Sequence, residues 1–289
     1  MASRSMARTL KRRLLGMPWM PFMEPLAWRD RVARADIAKW KPRPAEPGFP
    51  VVRGPVYFAV LRRLHELLRP SLYLEIGTAY GHSLALCDSD FVAIDPEFRL
   101  HLSGLQIPGR GFFFSQTSDD FFASGFLGRN DLVPDLGFLD GMHLFEYLLR
   151  DFINYEAAAA PGSVAVLHDC LPATAAMEAR AWDRKATPQW TGDVWKLVPI
   201  LRALRPDLRL SLLDASPTGL AVIEGLDPEN RTLAAEYDRL VAEYTPLRFA
   251  DFGAERLLDG AQILPSLAEV ARVAERAAAA ADKPLAVQA

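Results

Sequence analysis

Four residues along one stretch of the chain carry its clearest chemical signal. Glu75 closes an apolar run, Gly77 and Gly81 follow at the spacing E-x-G-x-x-x-G, and Asp95 closes the next apolar run. Glycines so placed let the backbone turn tightly and bring the main chain up to a ligand. A carboxylate at the end of a second strand is where doubly wound nucleotide binders hold the hydroxyls of a ribose. A dinucleotide fingerprint reads G-x-G-x-x-G and offers a helix N-terminus to a pyrophosphate. Here the first glycine position is Glu75, an acid that repels a pyrophosphate and suits a ligand with a cationic amine.

Alternating strands and helices must position these groups. Val56, Val60, Leu64, Leu67 and Leu68 recur at helical spacing up to Pro70. Short apolar strands are predicted over 71–76, 91–95, 111–115, 135–140 and 163–168, with a helix over 81–87 and a longer one over 143–160 closed by Pro161-Gly162. Two further strands, 208–213 and 218–223, flank only Asp214-Ala215-Ser216-Pro217, too short a link for a crossover, so they must run antiparallel. The pattern is an α/β, doubly wound parallel sheet with ligands expected outside the carboxyl ends of its strands. Beyond Gly225 the chain reads as helical. Leu233, Tyr237, Leu240, Val241 and Tyr244 share a face, and Ser266-Leu267-Ala268-Glu269 has the form of a capping box.

With the strand before Glu75 and Asp95 after it, the sequence resembles the class I methyltransferases that use S-adenosylmethionine, in a bacterial small-molecule branch. The resemblance covers about Gly54 to Gly225 and includes Leu139-Asp140-Gly141-Met142-His143 and Leu167-His168-Asp169. It implies a Rossmann-like seven-stranded sheet whose last strand is antiparallel, with S-adenosylmethionine as cofactor. It also implies methyl transfer to a small-molecule acceptor, most simply at a hydroxyl oxygen. Glu75, Gly77, Thr78, Tyr80, Gly81 and Ser83 would shape the methionine pocket and Asp95 would hold the ribose. Ser118 and Asp119, in Thr117-Ser118-Asp119-Asp120, would lie against the adenine; the pair also fits a helix N-cap. Asp140 stands at the border of the cofactor and catalytic groups.

In that fold Asp140 and Asp169 end adjacent strands, and two chemistries compete for them and their neighbours. In one, Asp140 and Asp169 hold Mg²⁺ or another divalent ion that makes a substrate hydroxyl more acidic. In the other, His143 is the general base and a carboxylate orients its ring, with Asp140 and His168 completing the catalytic group. Metal-dependent relatives usually carry a second Asp or an Asn after the strand-five aspartate. This chain has Cys170, a poor ligand for a hard ion. His168 equally suits a plain strand cap. Trp182, Trp190 and Trp195 crowd the segment after the fifth strand, where they could wall a substrate or pack the following helix.

Composition bounds the rest. The 289 residues are 50% hydrophobic and 24% charged, with a net charge of −3, so a disordered chain is excluded and nothing favours nucleic acid. No uninterrupted apolar run is long enough to span a membrane. Two cysteines make no disulfide framework, which points to free thiols and a cytoplasmic setting. Arg4, Arg8, Lys11, Arg12 and Arg13 all precede Glu24, the first acid, and an aromatic, proline-broken stretch follows them. Residues 1–54 thus read as a basic, aromatic arm and Pro-rich linker, 55–225 as the cofactor-binding domain, and 226–289 as a helical extension. The arm suits packing over its own domain, peripheral contact with an anionic membrane, or a partner subunit; the extension suits docking or a homo-oligomer. The alternative functions are a nicotinamide-dependent (NAD-type) oxidoreductase on a similar sheet and a non-catalytic interaction protein on a degenerate methyltransferase core.

Overall fold

The structure, a computed structural model, describes residues 44–100 and 109–281, so the basic arm itself lies outside the described residues. Helix α1 (Tyr57–Leu68) buries Tyr57, Phe58, Val60, Leu61 and Leu64 and ends where Arg69 turns left-handed before Pro70. It leads into β1 (Leu72–Ile76), β2 (Asp90–Ile94) and β3 (Gly111–Phe114). Two short helices, α2 (Ser118–Ala123) and α3 (Phe126–Arg129), precede β4 (Leu136–Leu139), α4 (Phe145–Ala158) and β5 (Val164–His168). After a long irregular segment come α5 (Leu197–Leu204), β6 (Arg209–Leu213) and β7 (Leu220–Glu224).

The strands form one seven-stranded sheet in the order β3-β2-β1-β4-β5-β7-β6. All pairings are parallel except those of β7, which runs antiparallel to both β5 and β6 and is slotted between them. This is the doubly wound sheet with an antiparallel last strand that the short link after β6 requires. The order reverses between β1 and β4, and the carboxyl ends of those strands open the crevice in which such sheets bind ligands.

Both sheet faces are covered, which explains the nearly unbroken apolar strands. On one face Tyr73, Phe91, Phe138, Val166 and Val222 pack beneath α1. On the other, Leu74, Ile94, Leu139 and Leu167 pack against Phe145, Leu149 and Phe152 of α4 and Trp195. Each such fully buried side chain contributes roughly 1.5–3 kcal/mol relative to exposure. Four C-terminal helices join these layers: α6 (Thr232–Ala235), α7 (Tyr237–Tyr244), α8 (Phe249–Leu258) and α9 (Ser266–Ala281). Leu233, Leu240, Phe249 and Leu257 enter the α4 face, and Val270 and Val273 of α9 enter the α1 face.

Three local expectations are corrected. The helix predicted over 81–87 is a single 3₁₀ turn, Leu84–Leu86; the link to β2 is short, and Gly81 sits left-handed at φ 76°. The capping box at Ser266 does not form. Ser266 turns its hydroxyl and amide to Asp214, and Glu269 is drawn to Arg272 and Arg276 instead. The cap expected at Ser118-Asp119 falls on Thr117, whose extended backbone lets its hydroxyl accept from the Asp120 amide. Among the described residues no helix is long and apolar enough to cross a membrane.

Candidate active site

Glu75 faces the α1 side of the sheet and is 0% exposed. Its carboxyl accepts hydrogen bonds from the Tyr73 hydroxyl (2.5 Å) and the Ser83 hydroxyl (3.0 Å), and no cation pairs with it among the described residues. Burial drives its pKa from 4.5 up to about 7, tempered by those hydroxyls and by Thr78, and the charge of Asp140 pushes the same way as burial. The carboxyl therefore gains by meeting a positive charge.

The loop after it is built around backbone conformations that glycine makes cheap. Gly77 sits at φ 87°, and a Cβ there would lie 2.0 Å from the Asp140 carbonyl oxygen, so the ends of β1 and β4 touch main chain to main chain. Ala79, left-handed at φ 44°, is held by its amide donating to Asp95 Oδ2 (2.7 Å), while Asp95 Oδ1 accepts from the Glu97 amide (2.7 Å). Asp95 thus ties the loop down and keeps its remaining lone pairs for a ligand. Thr78 is 2% exposed, and its hydroxyl lies near enough to Glu75 to favour the charged carboxylate while finding no partner of good hydrogen-bond geometry among the described residues. Tyr80 points outward, 45% exposed, and stacks on His82.

Two other expected cofactor contacts, Ser118 and Asp119, face protein partners on α4. Asp119 is gripped by Arg150 of α4 through Nε (2.9 Å) and Nη2 (2.8 Å), and those hydrogen bonds hold its pKa below the usual carboxylate range. Near Ser118, Asp151 is buried, and that burial pushes its carboxyl up to about 7, with Ser118 pulling the other way.

At the ends of β4 and β5 the structure brings Asp140, His143, His168 and Asp169 together. His168 Nδ1 lies 3.0 Å from Asp140 Oδ1 and 3.6 Å from Asp169 Oδ1. Burial alone would favour a neutral ring, but the charges of both aspartates and the Asp140 hydrogen bond outweigh it and raise the pKa of His168 to about 9. Its ring is tilted against Tyr57 of α1, centroids 4.2 Å apart. Asp169 sits left-handed at φ 61°, a costly backbone for an acid, and Thr218 donates to its Oδ1 at 2.5 Å.

His143 Nδ1 lies 2.6 Å from the Trp190 carbonyl oxygen and 3.2 Å from Asp169 Oδ2, and Nε2 lies 3.7 Å from Asp140 Oδ1. A carbonyl can only accept, so Nδ1 carries the proton and the lone pair of the neutral ring is on Nε2. Trp190 stacks on the imidazole and Trp182 on Trp190, while Trp195 is buried in the α4-side core. Cys170 turns its thiol to the His168 carbonyl, and burial pushes that thiol out of thiolate range; Cys87 is buried too. One ligand atom each from Asp140, His143 and Asp169 lie within 4.8 Å of one another, an arrangement able to hold a divalent ion.

Several of these contacts were not read from the sequence. Tyr73 stands two residues before Glu75 on the same strand face, so strand periodicity could have found it. The Trp190 carbonyl and Thr218 arrive from distant segments with no local signal. A cavity of about 370 Å³ between α2, α3 and α4, lined by Phe121, Phe122, Phe126 and Val133, touches none of the candidate residues.

No family model matches the chain, and no curated protein matches it. Among solved structures it is similar to the O-methyltransferase TomG from Streptomyces achromogenes, involved in tomaymycin synthesis and bound to SAM. That match has 16% identity over 74% of this chain and 95% of TomG, with a TM-score of 0.47. An O-methyltransferase from Bacillus cereus in complex with SAH shares 14% identity over 73% of this chain and 96% of its own, with a TM-score of 0.46. Podospora anserina methyltransferase PaMTH1, SAH-bound, shares 14% identity over 78% and 97%, with a TM-score of 0.44.

Proposed function

We propose that this chain transfers the methyl group of S-adenosylmethionine to a hydroxyl oxygen of a small molecule. One observation carries the reading. At the β1–β4 reversal, a buried carboxyl with no cation stands across the Gly77–Asp140 contact from an imidazole whose free lone pair is on Nε2. Glu75 suits the amine of the cofactor's methionine portion and opposes a pyrophosphate. The Thr78 hydroxyl and the left-handed loop fit a ligand brought close to the main chain, and Asp95 fits a ribose.

When bound, the cofactor supplies a methyl already activated by its positive sulfur. The protein has only to align the acceptor and take one proton. His143 Nε2 takes the proton from the acceptor oxygen as that oxygen forms its bond to the methyl carbon and the carbon–sulfur bond breaks. The Trp190 carbonyl and Asp169 stabilise the imidazolium through Nδ1. Asp140 and His168 hold the adjacent strand end in place.

A divalent ion is the second reading, favoured by the three converging ligand atoms. Asp140, His143 and Asp169 would hold it, and it would make the hydroxyl more acidic in place of the base. The two buried free cysteines fit a reducing compartment, and we place the chain in the cytoplasm. Calorimetric titration with S-adenosylhomocysteine tests the main reading. Binding at micromolar concentration is expected, and no heat at millimolar ligand would sink it.

A further inference from the structure

The segment between β5 and α5 returns to the strand ends and meets the start of α4 residue by residue. The Trp190 carbonyl accepts from His143 Nδ1 at 2.6 Å. Gly192, left-handed at φ 54°, packs so tightly that a Cβ would sit 1.6 Å from the His143 carbonyl oxygen. One residue on, Asp193 Oδ1 accepts from the Phe145 amide at 3.0 Å. Leu144, the N-cap residue of α4, has no side chain able to cap, so Asp193 satisfies this orphan amide from afar.

Asp193 is 1% exposed, and a buried carboxylate holds one position only when its charge is matched. Lys196, itself fully buried, donates to Asp193 Oδ2 at 2.7 Å and to the Thr245 carbonyl at 3.1 Å. Arg180 bridges the same Oδ2 to Glu146 on the first turn of α4. The carboxylate therefore locks the covering segment to the main chain two residues past His143.

We infer that Asp193 is a positioning residue: by capping α4 from the covering segment it sets the Trp190 carbonyl on His143 Nδ1 and keeps the imidazole lone pair on Nε2. Without that hold, Nδ1 keeps only the longer approach to the Asp169 carboxylate at 3.2 Å, and a ring free to shift can place its proton on Nε2 toward Asp140 Oδ1, now 3.7 Å away, which blocks the base. The inference rests on His143 being the proton acceptor.

Its test is the ring-nitrogen NMR spectrum of the full chain with ¹⁵N-labelled histidine, His143 being assigned as the signal missing from His143→Gln. The wild type is expected to show protonated Nδ1 and bare Nε2. Asp193→Asn should mix the tautomers and cut turnover about 100-fold, with S-adenosylhomocysteine affinity within about threefold of wild type. If that variant does not fold, Arg180→Met loosens the same carboxylate from its half-exposed side and should move the same signals by less. A wild-type ring protonated on Nε2 overturns the inference, as does a folded variant with unchanged tautomer. Failure of wild type to bind S-adenosylhomocysteine would instead defeat the methyl-transfer reading and leave the tautomer result standing.

Discussion

The two halves of the crevice treat their carboxylates in opposite ways. At the β1 end, Glu75 is buried among hydroxyls without a cation, and its pKa stands at about 7. At the β4–β5 end, Asp140 and Asp169 are met by two imidazoles and a threonine hydroxyl, and one of those imidazoles has its pKa raised to about 9. A half left short of positive charge suits a cationic ligand, and a half already balanced suits holding its own groups in place. Under the proposed function, binding and chemistry therefore fall to different strand ends, joined at the Gly77–Asp140 contact.

Breaking that joint should have the largest effect. Gly77→Ala places a methyl against the Asp140 carbonyl at a backbone angle alanine resists, so a loss of roughly 3 kcal/mol or more in urea unfolding is expected, together with loss of S-adenosylhomocysteine binding. His143→Ala should separate the halves cleanly. Turnover falls by about 10²–10⁴ while affinity for S-adenosylhomocysteine, read by calorimetry, stays within about threefold. Glu75→Gln should do the reverse, weakening that affinity roughly 10- to 100-fold with a smaller effect on the chemical step in single-turnover measurements.

The pH dependence of stability sharpens the contrast. Folded Glu75 keeps its proton between pH 4.5 and about 7 while the unfolded chain has released it. Unfolding free energy therefore declines as pH rises through that window, by about 3 kcal/mol for this group, and levels off above it. Asp151, raised from 3.8 to about 7, and Glu178, also raised by burial, decline alongside, so Glu75→Gln should flatten part of the slope in denaturant titrations. His168 acts in a later window: its stabilisation is whole below pH 6.5 and lost as pH rises through about 9. The smallest expected effect is that of EDTA. Turnover should be unchanged if His143 takes the proton, whereas its loss, with recovery on adding Mg²⁺ or Mn²⁺, would favour the ion between Asp140, His143 and Asp169.

The halves also differed in how readable they were. The β1 half is local: Glu75, Gly77, Gly81 and Asp95 lie within one strand–loop–strand unit, where apolar runs and glycine spacing announce both the turn and its carboxylates. The same locality made the antiparallel β6–β7 pair legible, since four residues cannot cross a sheet. The β4–β5 half was legible only in residue type. Which nitrogen of His143 is protonated depends on a carbonyl 47 residues away, and Asp169 on a hydroxyl 49 residues away. No periodicity encodes those meetings. The expected helix after β1 and the capping box at Ser266 failed for a related reason, because a short link and the pull of Asp214 and Arg276 outweighed local preference.

Whether a cationic ligand completes the ionisation of Glu75 can be read by counting protons on binding. S-adenosylhomocysteine should be titrated near pH 6 in buffers of different ionisation enthalpy, into wild type and into Glu75→Gln. Wild type should release most of a proton per ligand bound and the variant little. Binding without buffer dependence in wild type, or the same release from Glu75→Gln, would contradict it.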